Sequence, residues 1–202
     1  MNISHIKVGL LKCNCYLVEK NYKYLLIDPG DDLEKIEEFI KGKEIVGILL
    51  THSHFDHVAS CYDLHQKYNY PVYDLNNLEE GKNNIDCFEF ELIKTFGHTK
   101  DSVTYYFKED KVMFTGDFLF YHTIGRCDLV ESDYELMKKS IKKIKQYDSD
   151  IDIYPGHGIS TTLENEIDNN PYFWLNKLLK NKKELYNLIW KNLIKIKSWK
   201  IS

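Results

Sequence analysis

Apolar and polar positions change period repeatedly along this chain, and the changes mark out its elements. Apolar runs predict strands over 3–9, 15–20 and 23–28, the last two joined by a tight hairpin at Asn21-Tyr22. Leu33, Ile36 and Ile40 keep helical spacing and predict a helix over 32–41. Val46-Gly47-Ile48-Leu49-Leu50 reads as a buried strand. Val58, Cys61, Leu64 and Tyr68 then predict one helix over 57–68, and Pro71-Val72-Tyr73 a short strand. Residues 76–84 are polar, with Gly81-Lys82-Asn83-Asn84 as a turn, and alternation resumes over 85–95. Strands follow over 102–108 and 111–116, and residues 118–131 read as a loop without a clear period. Tyr134, Met137, Ile141 and Ile144 predict a helix over 133–146, and a strand is expected over 151–154. Strands and helices thus interleave without strict β-α-β regularity, which is an α/β (α+β) pattern.

The chain of 202 residues suits one domain over 1–170 followed by a segment of different character over 171–202. That segment holds all three tryptophans and eight lysines against the single acid Glu184, and its leucines and isoleucines roughly keep helical spacing. It predicts a basic helical tail docked on an acidic body. The net charge of −4 argues neither for nor against an anionic partner, but the body over 1–170 is acidic and leaves no room for an added RNA-binding domain, so no nucleic acid is expected. The start lacks a basic region followed by a long apolar run, and no segment approaches the roughly 20 apolar residues a membrane span needs. Five scattered cysteines, Cys13, Cys15, Cys61, Cys87 and Cys127, fit reduced thiols in a cytoplasmic chain. Cys13 and Cys15 read as small apolar residues of an early strand.

Histidine placement changes the picture. Thr51-His52-Ser53-His54-Phe55-Asp56-His57 follows the buried strand directly and puts three imidazoles and a carboxylate within six positions. In extended backbone His52 and His54 point the same way and Ser53 the other. Asp56 and His57 fall at the start of the next helix, so the motif offers two groups of ligands. Neutral imidazole is the commonest metal ligand among side chains. His98, Asp117 and His157 also sit just past predicted strand ends, each beside a glycine that lets backbone approach a crowded site. Asp28, in Asp28-Pro29-Gly30, is either a turn residue or a carboxylate that orients a ligand histidine, and the turn is the simpler reading. Arg126, the only arginine, either binds an anionic substrate group or ties down its loop. His122 either lines the pocket or is an exposed loop residue.

The order T-H-x-H-x-D-H, G-H-T, T-G-D and P-G-H-G resembles the metallo-β-lactamase superfamily over residues 1 to about 170. Gly116-Asp117-Phe118-Leu119-Phe120 and Gly125-Arg126-Cys127-Asp128 are similar to its glyoxalase II-like branch, the hydroxyacylglutathione hydrolases and their short bacterial relatives. The resemblance implies a four-layer αββα sandwich with metals at one edge. It implies that His52, His54 and His98 hold one metal, that Asp56, His57 and His157 hold the other, and that Asp117 bridges them. Nitrogen-rich ligation without thiolate suits two divalent ions, zinc first, with iron or manganese as alternatives. Asp56 and Asp117 would be the catalytic carboxylates, and Arg126 and His122 the candidate substrate contacts. The activity implied is hydrolysis of a small-molecule thioester such as S-lactoylglutathione by a water acidified between the metals. An aspartate at 117 makes the antibiotic-hydrolysing members a poor match. Competing readings are a mononuclear iron persulfide dioxygenase of the same fold, a nuclease or phosphodiesterase, and a non-catalytic binding module.

Overall fold

Adjacent residues on one strand serve different layers of this protein, and that alternation builds its architecture. The computed structural model describes residues 1–174. A five-stranded sheet contains β1 (Asn2–Val8), β2 (Cys13–Lys20), β3 (Lys23–Ile27), β4 (Glu44–Leu49) and β5 (Val72–Tyr73) in that spatial order. A second sheet begins with β6 (Gly81–Ile85), β7 (Phe88–Lys94), β8 (Val103–Phe107) and β9 (Val112–Gly116). A small hairpin, β10 (Leu119–Phe120) with β11 (Thr123–Ile124), interrupts it before β12 (Asp152–Pro155) and β13 (Thr161–Thr162). The order across this six-stranded sheet is β13-β12-β9-β8-β7-β6. Helices α1 (Leu33–Ile40), α2 (Phe55–Val58) and α3 (Cys61–Tyr68) come from the first half, and α4 (Tyr134–Ile144) and α5 (Leu163–Asn169) from the second.

Tyr16, Val18, Leu25 and Ile27 face Phe88, Phe90, Tyr105 and Phe114 in a core between the sheets. The intervening Leu17 and Leu26 turn outward onto Ile36, Ile40 and Leu64 of α1 and α3. Ile93, Met113 and Ile153 likewise turn outward onto Met137, Ile141 and Ile144 of α4. Alternation with both faces apolar in the central strands therefore yields four layers, αββα, with those strands buried on two sides. Most strands are antiparallel neighbours, but β3, β4 and β5 run parallel, as do β9 and β12. Their C-terminal ends converge on one edge of the sandwich. There the sheets are tied together by Asn14 N donating to Gly156 O (2.7 Å), Val103 N to Thr51 O (2.9 Å) and Tyr105 Oη to Leu50 O (2.7 Å).

Three expectations change, and one segment without an expectation proves ordered. The helix expected over 57–68 is two helices, because Ser60 N donates to the Pro29 and Gly30 carbonyls (3.1 and 2.9 Å) instead of continuing the helical ladder. Residues 81–84, expected as a turn, are strand β6, paired from Gly81↔Leu92 to Ile85↔Phe88, and the reversal falls at Asp86-Cys87. An edge strand needs only one apolar face, so its polar residues hid it. Residues 118–131 include the β10–β11 hairpin, whose turn residue His122 has φ 58°. Residues 161–169 form β13 and α5, anchored by Glu166, a buried carboxylate that accepts from His122 N (2.9 Å), Thr161 Oγ1 (2.8 Å) and Asn170 Nδ2 (2.8 Å). Of the expected tail, Pro171–Phe173 form a 3₁₀ turn with Phe173 buried against the α4 layer, and the remainder lies outside the described residues. No helix among the described residues is long and apolar enough to cross a membrane.

Candidate metal centre

Turns after β4, β7, β9 and β12 deliver all seven expected side chains to the shared edge. His52 Nε2 lies 3.1 Å from His54 Nδ1, which is 3.0 Å from His98 Nε2. His57 Nε2 lies 3.3 Å from His157 Nε2, which is 3.1 Å from Asp56 Oδ2. Asp117 stands between the two sets. Its Oδ1 is 3.3 Å from His57 Nε2 and 3.6 Å from His157 Nε2, while its Oδ2 is 3.6 Å from His98 Nε2. Oδ1 is buried and has no well-aligned hydrogen-bond partner among the described residues. An orphaned carboxylate oxygen is costly, and a cation placed among these nitrogens would relieve it.

The far side of each ring fixes which nitrogen is free. His98 Nδ1 donates to Arg126 O (3.0 Å) and His157 Nδ1 to Leu11 O (3.1 Å). A carbonyl can only accept, so Nε2 of each ring is left with its lone pair inward. His57 Nδ1 donates to Asp28 Oδ2 (2.9 Å). Thr51 Oγ1 gives its one proton to Asp28 Oδ2 (2.7 Å) and so accepts from His52 Nδ1 (3.1 Å). His54 is reversed: its Nε2 donates to Glu131 Oε1 (3.0 Å), leaving Nδ1 to converge with the others. In their neutral forms the five imidazoles thus direct five lone pairs at two points, an arrangement that outer hydrogen bonds of this kind impose on metal ligands. The residues are consistent with a binuclear site.

The same geometry sets the charge states. Burial pushes His52 well below the ordinary histidine range, helped by the charge on His57, and burial also lowers His98 against the pull of the Arg126 carbonyl. Burial opposes charge on His57 too, but the Asp28 carboxylate and the bonds to Asp117 and Asp28 outweigh it and carry His57 well above that range. His157 is raised against burial by its bond to Asp56 and the charge of Asp117. For Asp117 the burial penalty loses to the His57 bond and the surrounding imidazoles, which hold the carboxyl below the carboxylate range. Asp56 is lowered in the same way, against burial, mainly by His157.

Two glycines make the crowding possible. A Cβ on Gly156 would sit 2.4 Å from Asp117 Oδ1 and 2.5 Å from His57 Cε1. One on Gly116, at φ +49°, would sit 2.3 Å from Thr51 Oγ1.

The simpler reading of Asp28 as a turn residue is corrected: it has the φ of a turn (51°) but is 2% exposed and accepts from Thr51 N (2.8 Å), Thr51 Oγ1 and His57. Its place at the end of β3, parallel to β4, is the signal that carried this role. Glu131 and the carbonyls of Leu11 and Arg126 went unread, since backbone groups leave no residue signature. Cys13 Sγ lies 3.6 Å from His57 Nδ1, but burial pushes that thiol up to about 11, so it stands there neutral rather than as a thiolate ligand. Arg126 forms a two-pronged pair with Asp128 (2.9 and 3.0 Å) on the exposed loop. His122 stacks on Tyr121 at 3.9 Å and shares Nε2 with Asn165.

The model of the metallo-β-lactamase superfamily matches residues 8–77 and 73–157. The chain is 32% identical to hydroxyacylglutathione hydrolase GloC of Haemophilus influenzae, over 85% of this chain and 98% of that protein. Among solved structures it is similar to TTHA1623 in a di-iron-bound form, with TM-score 0.77, 32% identity, and 84% and 99% of the two chains covered. It is also similar to the BLEG-1 B3 metallo-β-lactamase, with TM-score 0.80, 29% identity, and 85% and 99% covered.

Proposed function

The chain belongs to the metallo-β-lactamase superfamily and carries the histidine-rich site of a metal-dependent hydrolase, and from that premise we propose a binuclear hydrolase that cleaves thioesters of the S-lactoylglutathione kind. The observation that carries the reading is Asp117, whose two oxygens face the two nitrogen sets separately. His52, His54 and His98 would hold one ion, Asp56, His57 and His157 the other, with Asp117 shared and zinc in both positions. Two ions held so supply an acidic water and polarise a carbonyl oxygen.

The chain's own groups do the rest. Asp56 engages His157 through Oδ2, and its Oδ1 is the proposed acceptor for the proton of the attacking water. Every outer ring N–H of the five ligand histidines is committed to a carbonyl, hydroxyl or carboxylate. No ligand histidine is left to protonate a departing amine, so an amide would depend on the proton taken up by Asp56, whereas a thiolate leaves without a strong acid. The similarity to GloC supports glutathione as the thiol. Arg126 would meet a substrate carboxylate by exchanging Asp128 for it. His122 is the weaker of the two proposed contacts, because Asn165 and Tyr121 already hold it.

The test is hydrolysis of S-D-lactoylglutathione by zinc-loaded protein, followed as loss of the thioester. Turnover abolished by a chelator supports the reading. No turnover with two ions verified in place removes this substrate. Opening of a chromogenic cephalosporin would then favour an amide substrate, and oxygen uptake with glutathione persulfide by a one-iron protein would favour the dioxygenase reading.

A further inference from the structure

A cavity of about 380 Å³ lies beside the metal centre, and of the seven candidate ligands only His52 lines it. Its size falls in the range of small-molecule sites. It sits at the C-terminal ends of the parallel strands β4 and β5, where open α/β sheets bind ligands. Leu50, Val58, Val72 and Leu75 give it apolar walls.

The polar groups on its lining are biased toward acceptors. Asp74 and Asp101 line it, and no lysine or arginine does. Asn76, also on the lining, gives its backbone N–H and one of its two Nδ2 hydrogens to Asp74 (2.7 and 3.0 Å) and keeps its Oδ1 as an acceptor. His65 donates Nδ1–H to Tyr70 O (2.8 Å), which leaves Nε2 to accept. The Asp101 side chain has no hydrogen bond or ion pair among the described residues. Two carboxylates on the lining with no lysine or arginine make the cavity complementary in charge to a cation. Anions, including the glutathione of the proposed reaction, would be repelled here.

We propose that this cavity is a second ligand site, taking a small apolar molecule that carries a protonated amine. The hydrocarbon body packs on Leu50, Val58, Val72 and Leu75, and the ammonium meets Asp101. This site is independent of which ester the metal centre cleaves.

The test uses the full chain loaded with zinc and methyl-labelled at leucine and valine. It is titrated with 2-phenylethylammonium and, separately, with 3-phenylpropanoate, which has a similar body and the opposite charge. The ammonium should shift the Val58, Val72 and Leu75 methyl resonances to saturation, with the carboxylate at least roughly tenfold weaker. Asp101→Asn should weaken the ammonium by about the same factor while retaining its zinc. Equal response to both probes, no saturation, or shifts confined to other methyls would overturn the proposal. Should Asp101→Asn fail to fold, the comparison of the two probes on the unaltered chain decides.

Discussion

Replacing Asp28 with asparagine is the sharpest perturbation of this centre, because it changes one atom and redirects a proton. The carboxylate accepts from three donors: Thr51 N through Oδ1, and Thr51 Oγ1 and His57 Nδ1 through Oδ2. A carboxamide has one accepting oxygen. If that oxygen stays on Thr51 N, an N–H2 group meets His57 Nδ1, which must then accept, and the ring proton moves to Nε2. That nitrogen can no longer bind an ion. If the amide turns round, two buried donors face each other at Thr51 N, at a cost of about 1–3 kcal/mol. Loss of an outer hydrogen-bond partner of a ligand histidine typically weakens metal affinity 10–100-fold, or about 1.4–2.7 kcal/mol. The loss should fall on the ion proposed for Asp56, His57 and His157, while the other ion stays within a few-fold of its original affinity. Competitive chelator titration resolving two zinc affinities measures this. Thr51→Val should show the reverse pattern, since it removes the acceptor of His52 Nδ1 and leaves the Asp28–His57 bond in place. A folded Asp28→Asn protein binding both ions with unaltered affinity would refute the proton-placement argument.

Glu131→Ala removes the half-exposed acceptor of His54 Nε2 and should weaken the first ion about tenfold, the low end of the usual range, in the same titration. Gly156→Ala drives a methyl into Asp117 and His57; it should cost about 1–3 kcal/mol and lower metal content, so a variant with two ions and an unchanged melting temperature would count against the packing described. Phe114→Ala empties the space bounded by Tyr16, Phe107 and Tyr154 and should lower denaturant stability by about 3–5 kcal/mol without a change in slope. Zinc uptake should release protons from His57 and His157, whose values are raised in the metal-free chain, His57 the more strongly, and affinity should fall as pH falls. His52 and His98, lowered, and Asp56 and Asp117, already ionised, should add none. By the same sign, the stability that the charged His57 and His157 lend the metal-free fold is complete below about 6.5, the unfolded histidine value. It is lost as pH rises through their folded values. Calorimetry in buffers of unequal ionisation enthalpy reads the released protons, and none released would refute the assignment.

Much of this protein was legible from residue order alone. Apolar runs located β2, β3 and β4, and helical spacing over 133–146 found α4 to within a residue or two. The candidate ligands were visible because coordination needs specific side chains, and these lie in short turns directly after strands. Local chemistry of that kind survives in one dimension. What only the tertiary structure decided is long-range. Parallel pairing of β3 with β4 puts Asp28 beside Thr51 and His57. Insertion of the Pro29-Gly30 carbonyls breaks the helix expected over 57–68. The loop before α4 brings Glu131 and the Arg126 carbonyl onto His54 and His98, and the β1–β2 turn brings the Leu11 carbonyl onto His157. Residue order determined which imidazoles are present. Which nitrogen of each is free depends on acceptors far away in the chain, several of them backbone carbonyls that every residue possesses, so only the folded register could decide it.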